Sequence, residues 1–184
     1  MKSNELPGWS GHAAITAEEA QCRQAVIDEA VTWLRTPWAH NRRVKGAGVD
    51  CGLFVGSVYV AVGLLSWSVF LPEGEPEPKY QADWMLHRDE ERFRGAFEVF
   101  ADPVDRPLAG DIALWKYGRC FSHAGIVLDW PQIIHCFRPE RGVTYGDATK
   151  SPMGTREVCF YSRFARLASE ALAADRNAHR ENAP

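Results

Sequence analysis

The stretch Gly48-Val49-Asp50-Cys51-Gly52-Leu53-Phe54-Val55 places a cysteine where a loop of small residues passes into an apolar, helix-like segment. Asp50 suits the N-cap of a helix that begins at Cys51, because its carboxylate can accept a backbone N–H of the first turn. A thiol in that turn lies at the positive end of the helix dipole, and a neighbouring imidazolium can help to bring its pKa below about 7. Cys51 is therefore predicted to be a nucleophile.

The segment after Cys51 predicts a helix in the middle of the fold. It is apolar almost all round to about Val62, and Gly63 suits its C-terminal cap. An earlier helix is predicted to start after Thr16, a suitable N-cap, and to end before Pro37. Two further helices are predicted over residues 80–94 and 164–174.

The second half of the chain predicts antiparallel strands. Four apolar segments are bounded by turn residues, and they cover residues 111–117, 124–128, 133–137 and 158–161. Residues 129–132 (Asp-Trp-Pro-Gln) predict the connection of a hairpin. Helices first and antiparallel strands later indicate an α+β fold.

Two histidines on these strands could serve the thiol. His123 would take the proton of Cys51 as a base and later pass it to a departing amine. His135 would bind the other ring nitrogen of His123 and fix its tautomer and orientation. The backbone N–H of Cys51, at the helix start, would stabilise an oxyanion. The order of the three side chains predicts a cysteine hydrolase.

The hairpin between the two histidines has a geometric requirement. His123 and His135 are twelve positions apart, and directly opposed residues on antiparallel strands share a face. A regular two-residue turn would place the two rings on opposite faces. We therefore predict an odd-length connection or a bulge near Asp129.

Length and charge limit the classes of function. The chain has 184 residues and is expected to form one catalytic domain over 1–184, with a core at about 16–174, an insertion at about 71–105 and a frayed tail at 175–184. With 21 Lys and Arg against 24 Asp and Glu, the net charge of −3 gives no case for nucleic acid as a partner.

The five cysteines are widely spaced and predict neither a disulfide framework nor a zinc ribbon, so no cofactor is expected. The longest apolar run, residues 53–65, is too short to span a bilayer. Residues 1–11 lack the pattern of a secretory signal, so synthesis in the cytoplasm is expected, with any action at a cell wall depending on phage or other non-classical delivery.

Several motifs together resemble the NlpC-type cell-wall cysteine peptidases, which belong to the papain-like superfamily. The similarity covers about residues 34–137 and is carried by Thr36-Pro37-Trp38, Lys45-Gly46, Gly48-Val49-Asp50-Cys51, Gly63-Leu64, Gly110-Asp111-Ile112, Ser122-His123-Ala124-Gly125-Ile126-Val127-Leu128 and Ile133-Ile134-His135. The absence of an accessory binding domain and the Gly-Val-Asp-Cys form are most similar to short phage-tail-associated members.

The resemblance implies a papain-like fold with the nucleophile on a central helix packed on an antiparallel sheet. It implies Cys51 as nucleophile, His123 as base and His135 as third member, acting on peptidoglycan stem peptides at the γ-D-glutamyl to diamino-acid bond. Asp50 and Ser122 fall where family members contact the substrate, although a helix cap and a turn serine explain them equally well. Trp38 stands where the family usually has a tyrosine that shapes the oxyanion site.

The sequence is also compatible with other functions. A thiol acyltransferase would use the same triad, and a phage-tail structural or assembly protein would need none, with phage tail proteins as partners. The ubiquitin-like-protein proteases share an Asp-Cys-Gly box, but only His12 and His40 precede Cys51 here. A metal site of Cys51, His123 and His135 lacks a fourth ligand at a sensible spacing.

Overall fold

The computed structural model describes residues 15–69 and 80–181. The predictions on the N-terminal segment 1–11, on residues 71–79 of the insertion and on the last residues of the tail lie outside these ranges. Within them, five helices and eight strands form a mixed structure, which confirms the predicted α+β class.

The first helix, α1 (Ala17–Val31), begins where the sequence predicts. Its N-cap Thr16 accepts a hydrogen bond from the Glu19 amide at 3.1 Å. The helix ends at Val31, and turns lead from there to Arg35, whose φ of 68° is left-handed. A small hairpin of β1 (Arg43–Val44) and β2 (Gly48–Val49) follows.

The central helix, α2 (Cys51–Ala61), has the predicted boundaries within one residue. Asp50 is its N-cap, and Gly63 follows its end with a φ of +75°. The helix buries Phe54, Val55 and Val58 completely against the sheet. This packing fixes the helix start, and with it Cys51, at one end of the sheet.

The predicted helix over 80–94 is wrong, since the segment forms α3 (Trp84–His87) and α4 (Arg92–Glu98). Trp84 and Phe93 are nine residues apart, which is about two and a half helical turns and would place them on opposite sides of one helix. Both rings instead pack on each other, with centroids 6.0 Å apart, in one core. The chain breaks between them so that both can be buried.

The sheet has six antiparallel strands in the order β3-β8-β4-β5-β6-β7. The strands are β3 (Asp102–Val104), β4 (Ile112–Tyr117), β5 (Cys120–Asp129), β6 (Gln132–Phe137), β7 (Gly142–Asp147) and β8 (Val158–Ser162). The sequence did not predict the two edge strands, β3 and β7. A proline lies inside β3 and two glycines inside β7, and both residue types are poor strand signals.

The last helix, α5 (Arg163–Glu181), is longer than predicted. It continues past Ala174 through residues expected to be frayed. The arrangement of one catalytic domain with an insertion at 71–105 stays a prediction, and of that insertion the structure describes 80–105.

Candidate active site

A cleft of about 370 Å³ opens between the start of α2, the strands β5 and β6, and the segment that leads into α3. Its walls are mostly apolar, and they include two of the three predicted catalytic side chains. The lining residues are Trp38, His40, Asp50, Cys51, Tyr80, Ala82, Trp84, Met85, Tyr117, Ser122, His123, Cys136, Phe137, Arg138, Pro139 and Pro152.

Cys51 is the first residue of α2 and is only 9% exposed. Asp50 holds this corner in place, because its two carboxylate oxygens accept hydrogen bonds from the backbone amides of Leu53 and Asn41, each at 2.9 Å. The cap thus fastens the helix start to the preceding loop. Asp50 itself is 2% exposed.

The Cys51 thiol lies against the backbone on both sides of His123. Its sulfur is 3.7 Å from the Ser122 carbonyl, and the backbone amides of Ala124 and Gly52 lie close to it. Those amides lower the pKa of the thiol, but burial and the nearby Asp50 carboxylate outweigh them and raise it to about 12. The prediction of a lowered pKa is wrong, and Cys51 is a neutral thiol at rest.

The two imidazoles meet as predicted. His123 Nε2 lies 2.8 Å from His135 Nδ1, and both side chains are buried. Burial lowers the pKa of His123 well below its usual value, and it lowers the pKa of His135 to about 4. Both rings are therefore neutral near pH 7, and one donates to the other.

A β-bulge brings the two rings to one face of the sheet. The turn at Trp130 has two residues, but Leu128 is an extra residue in β5 between the pairs Val127–Ile133 and Asp129–Gln132. The predicted bulge is confirmed. The rings are diagonal neighbours, because His135 lies directly opposite Gly125.

A glycine makes room for the ring of His135. A Cβ added to Gly146 on β7 would lie 2.8 Å from His135 Nε2, and Phe137 stacks on the ring with centroids 5.1 Å apart. His135 is 0% exposed, and its Nε2 has no hydrogen-bond partner among the described residues. Packing, rather than a further hydrogen bond, holds this imidazole.

The residues predicted to bind substrate also lie at the cleft. Trp38 forms part of the wall, and the guanidinium of Arg138 lies 5.0 Å from its ring centroid. Ser122 is buried, and its hydroxyl donates to the Tyr117 carbonyl at 3.1 Å. Asp50 lines the cleft while it caps α2.

Sequence reasoning missed two polar side chains of the cleft. The Tyr80 hydroxyl bonds to the Asp50 carboxylate, and the Tyr80 carbonyl accepts from Asn41 Nδ2 at 3.1 Å and bonds to His40. Arg138 reaches the cleft from the residue after β6. No local motif marks either residue, although Arg138 lies only three positions after His135.

Two negative findings apply to residues 15–69 and 80–181. Within these ranges no cluster of three or more His, Cys, Asp or Glu side chains could hold a metal ion. No helix in the same ranges has the length and apolar character needed to cross a bilayer.

The fold of the chain is similar to that of known structures. No family model and no curated protein sequence matches the chain. Among solved structures, a Staphylococcus aureus protein described as similar to lipoprotein, NLP/P60 family, has a TM-score of 0.54 at 16% identity, over 81% of this chain and 44% of its own. NlpC1 from Trichomonas vaginalis gives 0.54 at 16% identity, over 78% of this chain and 44% of its own.

The chain thus spans less than half the length of these two proteins. A shorter structure, the NlpC/p60 domain of the peptidoglycan hydrolase SagA, is covered over 97% of its length with a TM-score of 0.46 at 19% identity. The predicted papain-like NlpC/P60 fold is confirmed.

Proposed function

We propose that the protein is a cysteine peptidase that hydrolyses peptidoglycan stem peptides, at the γ-D-glutamyl to diamino-acid amide bond. The observation that carries the proposal is the buried His123–His135 pair, 2.8 Å apart, of which His123 lines the cleft that also holds Cys51 at a helix start. The NlpC/P60 fold and the motifs around these residues support peptidoglycan as the substrate.

Proton transfer accompanies attack in this mechanism, because thiol and imidazole are both neutral at rest. When His123 Nε2–H donates to His135 Nδ1, its Nδ1 is left free to accept the thiol proton. The sulfur attacks the amide carbonyl carbon, and the backbone N–H of Cys51 stabilises the oxyanion. His135 keeps His123 in this tautomer, the role of the third member of a triad.

The tetrahedral intermediate then collapses to a thioester. The C–N bond breaks, and His123 gives its proton to the departing amine. Water, activated by the same imidazole, hydrolyses the thioester and restores the thiol. An amine or alcohol in place of this water would make the protein an acyltransferase.

The decisive experiment incubates the protein with purified peptidoglycan and identifies the released fragments by mass. Cys51→Ala should abolish release, and His123→Ala should lower kcat by about 10²- to 10⁴-fold. His135→Ala should be milder, because it removes orientation and leaves the base. Equal activity of the parent and all three variants would refute the proposal.

Association with phage tail proteins stays a prediction from the Gly48-Val49-Asp50-Cys51 form of the motif. If the protein is instead a non-catalytic tail component, the unmutated protein should release no fragments.

A further inference from the structure

The cleft carries one cation that has no carboxylate partner among the described residues. Arg138 is exposed at the cleft wall, and its guanidinium lies over the face of Trp38, at 5.0 Å from the ring centroid. Such a contact orients a guanidinium while it leaves the N–H groups of its edge free to donate.

The acidic side chain of the same cleft, Asp50, is buried and hydrogen-bonded, in contrast to the exposed Arg138. Asp50 is buried, and its oxygens accept from the Leu53 and Asn41 amides and bond to the Tyr80 hydroxyl. These bonds hold α2, the preceding loop and the insertion together. Asp50 is thus almost fully covered by its own partners, whereas Arg138 is exposed to an incoming substrate.

The cleft walls near Arg138 are largely apolar, and this strengthens the effect of its charge. Around Cys51 they are formed by side chains such as Trp38, Tyr117 and Phe137. An apolar wall lowers the local dielectric, so an ion pair formed there is stronger than the same pair in water.

We propose that Arg138 binds a carboxylate of the substrate, so that the cleft selects acyl donors with a free carboxylate near the scissile carbonyl. This inference rests on the proposed function. A γ-linked glutamyl residue has this chemistry, because its α-carboxylate stays free when the side-chain carboxyl forms the amide. The planar guanidinium can hold both oxygens of that carboxylate, whereas a lysine ammonium acts as a point charge.

The test uses two tripeptides that differ in one group: L-alanyl-γ-D-glutamyl-diaminopimelate with a free α-carboxylate, and the same peptide with an α-carboxamide. The parent should cleave the carboxylate peptide with a kcat/KM about 10- to 100-fold higher, as expected for a charge-assisted pair. Arg138→Gln should reduce that value to the level of the carboxamide peptide and leave cleavage of the carboxamide peptide within about twofold. Arg138→Lys should fall between the two.

Arg106→Gln is the matched control, since Arg106 is also exposed but does not line the cleft. It should leave both rates unchanged. Equal cleavage of the two peptides by the parent, or an equal loss on both in Arg138→Gln, would overturn the carboxylate assignment and leave the proposed function standing.

A binding measurement separates the two ideas if neither peptide is cleaved. Calorimetric titration of Cys51→Ala, with and without Arg138→Gln, gives the affinity for each peptide without turnover. Tighter binding of the carboxylate peptide that disappears with Arg138→Gln would support the assignment even if the hydrolysis proposal fails. Equal affinities, or no binding, would overturn it.

Discussion

Burial decides the protonation state of the Cys51 thiol. The backbone amides of Cys51, Gly52 and Ala124 lower the pKa of the thiol, which is the predicted direction. Residue Cys51 is only 9% exposed and lies close to the Asp50 carboxylate, and these two effects raise the pKa by more, so the thiol keeps its proton. A local motif shows the dipole and the cap. It does not show how much of the surrounding chain will cover the thiol.

The alkylation rate of Cys51 should therefore depend steeply on pH. Because burial raises the pKa of this thiol to about 12, its reaction with iodoacetamide should be slow at pH 6 to 8 and should rise through pH 9 and 10. Mass-spectrometric mapping of time courses measures this, with the exposed Cys22 as an internal comparison. A rapid, pH-independent reaction of Cys51 between pH 5 and 8 would instead indicate a stable thiolate–imidazolium pair.

A single methyl group at Gly146 should impair catalysis. In Gly146→Ala the new Cβ would lie 2.8 Å from His135 Nε2, so the imidazole must leave its present position beside His123. We expect kcat on a stem peptide to fall by up to about 100-fold while KM changes little. Gly95→Ala is the control, since a Cβ there meets nothing within 4 Å. Unchanged kcat in Gly146→Ala would show that the ring tolerates the displacement.

At the scale of elements, the sequence predicts best where a structure is set by near neighbours. The cap of α2 and the bulge between β5 and β6 were predictable, because Asp50 is adjacent to its helix and a count of residues decides which face a side chain takes. The split between α3 and α4 was not, since it depends on a distant core that draws both Trp84 and Phe93 inward. The edge strand β7 is likewise specified by pairing with β6 rather than by its own residues.

A buried ion pair connects α1 to the sheet and offers a test at this scale. Arg23 Nη1 lies 2.9 Å from Asp111 Oδ1, and both side chains are buried. Arg23→Met would leave the Asp111 carboxylate buried without its cation, and the free energy of unfolding should fall by about 3 to 5 kcal/mol. Urea denaturation measures the change.

The matched control is the exposed pair of Lys116 and Glu157, whose charged atoms are 3.4 Å apart. Lys116→Ala should cost less than about 1 kcal/mol, because water already screens this pair. Similar losses in both variants would contradict the assigned role of Arg23.

At the scale of the whole molecule, the buried histidine pair connects stability to pH. Burial lowers the pKa of His135 to about 4, whereas an imidazole in the unfolded chain titrates near 6.5. Between these values the unfolded state binds more protons, so the free energy of unfolding should decrease as the pH falls from about 6.5 to 4. Protonation linked to His135 should lower the free energy of unfolding by about 3 kcal/mol over this pH range.

The comparison of the parent with His135→Gln isolates this contribution. Denaturant unfolding of both proteins at several pH values should give a free-energy difference that shrinks in the acid range. Parallel curves would show that His135 does not titrate between its folded and unfolded values.

The candidate site as a whole shows the same division between local and distant information. Cys51, His123 and His135 could be named from the sequence because each lies in a short motif, and the motifs follow a fixed order. Tyr80 and Arg138 could not, because their contacts with Asp50 and Trp38 arise only when the insertion and the end of β6 fold over the cleft.

The protonated resting state of Cys51 also bears on the durability of the protein. Peroxide oxidises thiolates far faster than thiols, and oxidation past the sulfenic acid is irreversible for most proteins. A nucleophile that loses its proton only during attack on a carbonyl gives an oxidant little to react with between turnovers. The burial that raises the pKa of this sulfur should therefore extend its working life in aerated surroundings.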